Sequence, residues 1–261
     1  MISAFSLGPG APRASLARLS APAGAAMTTG ALFALPCSPG TLPDGNVCVH
    51  LPDDEEGGPE AESTIGAHHD RRGRWVVYDQ IPRRPERPAD YDAYRYPVAC
   101  DRGCVASGYD LDRADQAQRR GRRVRHVGHG AVDLVQRRGT PVTLLALEHQ
   151  QGDAEVIYVG PLFGVTVVTR HTLREGGQLR DYLLIFAHLD AAAPGVQRGA
   201  RLSADSLVGL VGDTGSPEVV HLHLEARRVR EGVDPTRLSP SAMVEGAATV
   251  ACDPRNVLPL R

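Results

Sequence analysis

The sequence predicts an all-β protein: a compact antiparallel β-sheet with an irregular N-terminal extension. Three observations predict it. The 261-residue chain holds 28 Gly and 20 Pro against 5% aromatic residues, a composition suited to turns and short strands. From about Val124 onward, short β-like runs alternate with Gly- and Pro-containing breaks. A helix-like composition is confined to one brief stretch, residues 111–120.

Taken in order, residues 1–36 are rich in Ala, Ser, Gly and Pro, with Arg13 and Arg18 as the sole charges. The apolar run Ala31-Leu32-Phe33-Ala34-Leu35 is short for a secretory signal and lies far from the start, so the stretch reads as an atypical leader or a disordered tail. Residues 37–90 read as a Cys-bracketed loop and linker. Cys37 and Cys48 enclose a turn-rich loop with no core of its own, which a disulfide would define, and this places the chain in an oxidising compartment, periplasmic or secreted. The acidic-then-basic segment 52–74 is a linker by composition, and its His68-His69 pair reads as solvated. Trp75 to Tyr78 is a candidate strand, after which Pro82, Pro85 and Pro88 impose an extended path. Tyr91, Tyr94 and Tyr96 read as packing this lead-in onto a domain at 91–240, core 122–238, followed by a tail at 241–261. Cys100 and Cys104 either close a tight ring or seat each sulfur against a different partner; their spacing is not that of a zinc knuckle.

Within the domain, strands are expected near 130–134, 142–147, 154–159, 165–172, 182–188, 207–211 and 219–227. The net charge of -2 and pI near 6.5 give no reason to expect nucleic acid or an anionic membrane as partner. Apolar runs fall far short of the ~20 residues that span a bilayer. A monomer is expected.

Chemistry concentrates in histidines. In Val219-Val220-His221-Leu222-His223-Leu224-Glu225, a strand puts His221, His223 and Glu225 on one face. The preceding run 212–217 supplies turn residues that would deliver the strand to the edge of a cleft. His129 stands four residues before Asp133, and His188 ends an apolar strand in Ala187-His188-Leu189. Zinc favours imidazole nitrogen and carboxylate oxygen, and catalytic zinc sites use three protein ligands with one position left for water. Two His and one Asp from this set meet that requirement and leave two imidazoles for chemistry. His50, His126, His149 and His171 read as ordinary core or surface residues.

These motifs, in this order, resemble the lysostaphin-like (LytM-type) zinc metallo-endopeptidases. The resemblance runs over 122–238 and includes Gly139-Thr140-Pro141-Val142, Phe163-Gly164, Gly212-Asp213-Thr214-Gly215 and Val233-Asp234-Pro235. It implies that His129, Asp133 and His223 hold one zinc ion, that His188 and His221 are the catalytic imidazoles, and that the substrate is the peptide stem or cross-bridge of bacterial peptidoglycan. The chain departs from the family pattern at Ala131, Phe186 and Leu224, where Gly, Tyr and Phe are common. Competing readings are a non-catalytic cell-wall-binding or hydrolase-activating module of the same fold, a mononuclear iron oxygenase, which also uses two His and a carboxylate, and a structural zinc site.

Overall fold

In a computed structural model, the chain is described at residues 41–44, 47–50, 57–69, 73–112 and 128–261. The tail 1–36, Cys37 of the expected disulfide, the acidic run 53–56, His126 and most of the helix-like stretch lie outside these residues. The chain divides into two compact units, residues 1–51 and 52–261. In the first, strands β1 (Thr41–Asp44) and β2 (Val47–His50) form an antiparallel hairpin.

The second unit is built on one 12-stranded sheet. Its strands are β3 (Thr64–His69), β4 (Trp75–Ile81), β5 (Val105–Ser107), β6 (Ala131–Val135), β7 (Pro141–Thr143), β8 (Ala154–Leu162), β9 (Gly164–Glu175), β10 (Gln178–Ala192), β11 (Arg201–Leu202), β12 (Leu207–Val211), β13 (His221–Val229) and β14 (Thr249–Cys252). Among the described residues, helix is limited to short 3-10 turns such as Pro235–Arg237. The spatial order is β11-β8-β9-β10-β13-β14-β4-β3, with β6 and β5 branching from β13, and β12 and β7 from β10. Along one edge β13 pairs with β10. Along the other, its first half pairs with β6 and its second half with β14.

The all-β expectation holds, with one refinement. β14 runs parallel to β4 through Ala251 opposite Gln80 and Cys252 opposite Ile81, so the sheet is mixed. The segment read as a linker contains β3, and the residues read as a C-terminal tail contain β14. Neither announces itself in sequence: β3 is an edge strand with Gly66 and two histidines, and β14 has four residues. The expected strand at 142–147 stops at Thr143, although Leu144, Leu145 and Leu147 remain buried. Cys100 and Cys104 are joined as a disulfide with Cα atoms 5.6 Å apart. Cys252 is a buried thiol, pushed up to about 12 by that burial and therefore unreactive.

The core explains why β10 reads as a continuous apolar run. Tyr182, Leu184 and Phe186 pack on one face with Val132, Leu134, Leu222 and Leu224; Leu183 and Ile185 pack on the other with Ile157, Val168 and Met243. A strand covered on both faces has no polar side to alternate with.

Among the polar groups buried in this region, one is titratable near neutral pH in the unfolded chain. His171, fully buried on β9, has its Nδ1 against Gln150 Oε1 at 2.8 Å and its Nε2 against the Thr169 hydroxyl at 2.7 Å, contacts that suit a neutral ring. Burial pushes it down to about 3. Between that value and the ordinary histidine value near 6.5, the unfolded chain binds a proton that the folded chain refuses, so stability falls as pH falls through this window. The expected slope is up to about 1.4 kcal/mol per pH unit. Urea unfolding on the acid side should show it, and His171→Gln should flatten it. An unchanged slope in that variant would place the acid sensitivity elsewhere.

Candidate metal centre

Register sets the centre. His223 of β13 lies directly opposite Asp133 of β6, and His221 opposite Val135. Leu222 and Leu224 turn to the core with Leu134 and Val132, which leaves His221, His223 and Glu225 sharing the other face with Asp133. On the far side of β13, Ala187 stands opposite His223, and its single methyl leaves space for the ring. His129 comes from the segment before β6, fixed by a two-way backbone bridge to Asp110 with N–O distances of 2.7 and 2.8 Å.

Asp133 is the hub. Its Oδ1 lies 3.1 Å from His129 Nε2, 3.1 Å from His223 Nδ1 and 3.6 Å from His221 Nε2. The carboxylate is buried at 5% exposure, while the His129 and His223 rings keep 16% and 15% open to solvent. The site is thus anchored from below and accessible from above.

His188 arrives differently. The pairing of β10 shifts register between Phe186 and Leu189, and His188 occupies this bulge at φ 59°. The bulge turns its ring toward the cluster, with centroids 4.7 Å from His221 and 5.6 Å from His223. Its Nδ1 meets the Thr214 carbonyl at 2.8 Å, and its backbone N–H donates to Phe163 O at 3.0 Å. The Phe163-Gly164 and Gly-Asp-Thr-Gly motifs therefore meet behind this ring. A Cβ on Gly164, which has φ +68°, would lie 1.9 Å from the Thr214 carbonyl oxygen, so only glycine allows that approach.

Three imidazoles are oriented by backbone carbonyls at Nδ1: His129 by Gly108 at 2.8 Å, His188 by Thr214 and His221 by Val219 at 2.8 Å. In a neutral ring this fixes the tautomer and leaves Nε2 as the acceptor. His223 is reversed, turning Nδ1 to Asp133.

Electrostatics follow from these contacts. Burial alone would raise the Asp133 carboxyl, but hydrogen bonds and charge from His129 and His223 hold it well below the usual carboxylate range. Burial alone would lower His223, but Asp133 and Glu225 outweigh it and raise the ring to about 9. His188 is pushed down to about 4, chiefly by burial, with the neighbouring His221 and His223 adding to the effect.

Among the described residues, two trios bring donor atoms within 4.8 Å of one another: His129, Asp133 and His223, and His188, His221 and His223. All five residues singled out by sequence are here, and His68, His69, His149 and His171 are in neither trio. Sequence did not point to Ser107, whose hydroxyl lies 3.2 Å from His129 Nδ1, or to Gly108. Backbone and small-residue contacts from a strand of three residues leave no pattern to read. The departures at Phe186 and Leu224 pair with each other across β10 and β13 in the core, facing away from the histidines.

Residues 127–235 match the family model of peptidase family M23. The match covers somewhat less than half of the chain. A search of curated proteins returns no significant match. Solved structures similar to the chain include a zinc-containing peptidase from Vibrio cholerae (25% identity, 67% of this chain and 47% of that one, TM-score 0.38). The lysostaphin catalytic domain of Staphylococcus simulans is similar at 18% identity over 60% of this chain and 92% of that one, TM-score 0.36. A putative M23 peptidase of Pseudomonas aeruginosa is similar at 16% identity over 79% and 83%, TM-score 0.35. The chain spans about half the length of the Vibrio cholerae protein.

An ion held through His223, which both trios share, would displace the proton that the raised ring holds below about 9. Affinity for a divalent metal ion should therefore strengthen roughly tenfold per pH unit between about pH 7 and about pH 8.5. Chelator-competition titrations across that range read the slope; a flat profile would mean that the ring is already neutral.

Proposed function

We propose that the chain is a zinc metallo-endopeptidase acting on the peptide stems or cross-bridges of bacterial peptidoglycan. The observation that carries this reading is the convergence of two imidazoles on one buried carboxylate, with two further imidazoles facing the same point. Of the two trios, we assign the ion to His129, Asp133 and His223. The Asp133 charge partly balances a dication, whereas three neutral imidazoles would not, and the nitrogen–oxygen donor set suits zinc. The match of residues 127–235 to family M23 supports peptidase chemistry, and the substrate class follows the resemblance of the motifs.

Zinc, when bound, would make its water acidic near neutral pH and polarise the scissile carbonyl. The remaining steps belong to the protein. His221 and His188 each hold Nδ1 on a backbone carbonyl and present Nε2 toward the cluster side. Either ring is equipped to accept a proton at Nε2 from the attacking water and return it to the leaving nitrogen. Once protonated, the same atom can donate to the oxyanion. The Asp133 carboxylate, 3.6 Å from His221 Nε2, stabilises that ring when it carries charge.

The Cys100–Cys104 disulfide supports an extracellular or periplasmic setting. Among the described residues, no helix is long and apolar enough to cross a membrane.

Protein produced under oxidising conditions should contain one zinc per chain and release cross-linked peptides from purified peptidoglycan in a chelator-sensitive manner. His221→Ala and His188→Asn should each lower turnover by about 10²–10⁴-fold with zinc content retained. Asn is chosen at 188 because the positive φ there strains alanine less tolerably than asparagine. Zinc with no cleavage by the wild type would favour the non-catalytic module, and active variants would remove these imidazoles from the chemistry.

A further inference from the structure

We propose that Glu225 and Arg227 form a positioning device for His223, fixing which nitrogen that ring offers to the metal. The inference rests on the assignment of His223 as a ligand. The four histidines stand at different kinds of position in the sheet. His129, His188 and His221 lie at a strand approach, a bulge and a strand start, where backbone carbonyls are available to orient a ring. His223 is in mid-strand, laddered to Ala187 on one side and Asp133 on the other. Carbonyls on both edges there are committed to the sheet, so its second ring nitrogen needs a side-chain acceptor.

The period of a strand supplies one. Glu225 follows by two residues on the same face, and its Oε2 lies 3.8 Å from His223 Nε2, within ion-pairing reach. Arg227 follows by two more and donates Nη1 to Glu225 Oε1. Its Nε donates to the Thr249 hydroxyl of β14 at 2.6 Å, and that hydroxyl donates to the Met243 carbonyl at 2.8 Å. Glu225, Arg227 and Thr249 are 5%, 7% and 0% exposed, so the chain of contacts is shielded from water. The carboxylate also has a reserved place: a Cβ on Gly130 would come within 3.3 Å of Glu225 Oε1. A carboxylate behind a ligating imidazole orients the ring and raises its donor strength.

A strand-to-strand anchor would show the same contacts, so the test must separate anchoring from positioning. Zinc affinity by chelator competition and the visible spectrum of the cobalt(II)-loaded chain are compared for wild type, Glu225→Gln, Glu225→Ala and the double variant Glu225→Leu/Arg227→Met. Urea unfolding of the metal-free proteins controls for folding. Glu225→Ala strands a buried guanidinium and is the variant most exposed to misfolding; the double variant removes both charges at similar volume. Positioning predicts a zinc affinity lowered about 10–100-fold in the double variant, with a changed cobalt spectrum. Glu225→Gln, which keeps an acceptor oxygen, should fall between it and wild type. A folded double variant with wild-type affinity and spectrum would overturn the proposal and leave an anchor only. Wild-type protein that takes up no zinc would overturn the ligand assignment, and this inference with it.

Discussion

The contact on which the centre depends is the buried Asp133 carboxylate held between His129 and His223. Each partner comes from a different constraint. His223 faces Asp133 because β6 and β13 pair in that register, and a slip of one residue would turn every side chain of the strand to the opposite face. The core enforces the register: Leu222 and Leu224 are buried against Val132 and Leu134, so slipping would place leucines in the site and histidines in the core. Hydrophobic burial thus specifies polar geometry that the polar groups, repelling water poorly and costly to desolvate, could not specify themselves.

A regular ladder can present two imidazoles and a carboxylate, but not a fourth ring at the right angle. The bulge at His188 solves this by breaking the ladder for a short distance. The backbone at φ 59° costs energy for a residue with a Cβ, and the surroundings offset it: the N–H is taken by Phe163, the carbonyl by Gly212 and the ring by Thr214. Thr214 is in turn fixed through its hydroxyl, which accepts from Val165 N–H and donates to the Leu189 carbonyl, both at 2.7 Å. Strain and its support are concentrated at one corner of the sheet, beside the histidine cluster.

Much of this was legible in sequence because it follows period two. The alternation in β13 exposes a polar face, the order of histidines and Asp133 marks the cluster, and Gly- and Pro-rich breaks delimit most strands. What was not legible arises from contacts without a local signature. β3 and β14 are short, and β14 joins β4 in a parallel pairing across more than half of the chain. Gly108 acts through its carbonyl, which every residue has. Glu225 was visible on the strand face, but only the fold shows that Arg227 and Thr249 hold it there.

These contacts also bear on where the functional unit ends. The family match covers 127–235, yet the carbonyl that orients His129 lies before it and the strand that secures Arg227 lies after it. The two outlying pieces meet the same strand system: β5 extends the sheet from β6, and β14 takes over the edge of β13 where β6 leaves it. Because β6 covers only the first half of that edge, the second half would present unpaired backbone groups if β14 were absent, and Glu225 would lose its support through Arg227. The clustered His and Asp side chains therefore define a candidate site, whereas the structure that keeps them in place extends at least from β5 to β14. Motif boundaries record which side chains converge; the sheet sets how much chain is needed to hold them.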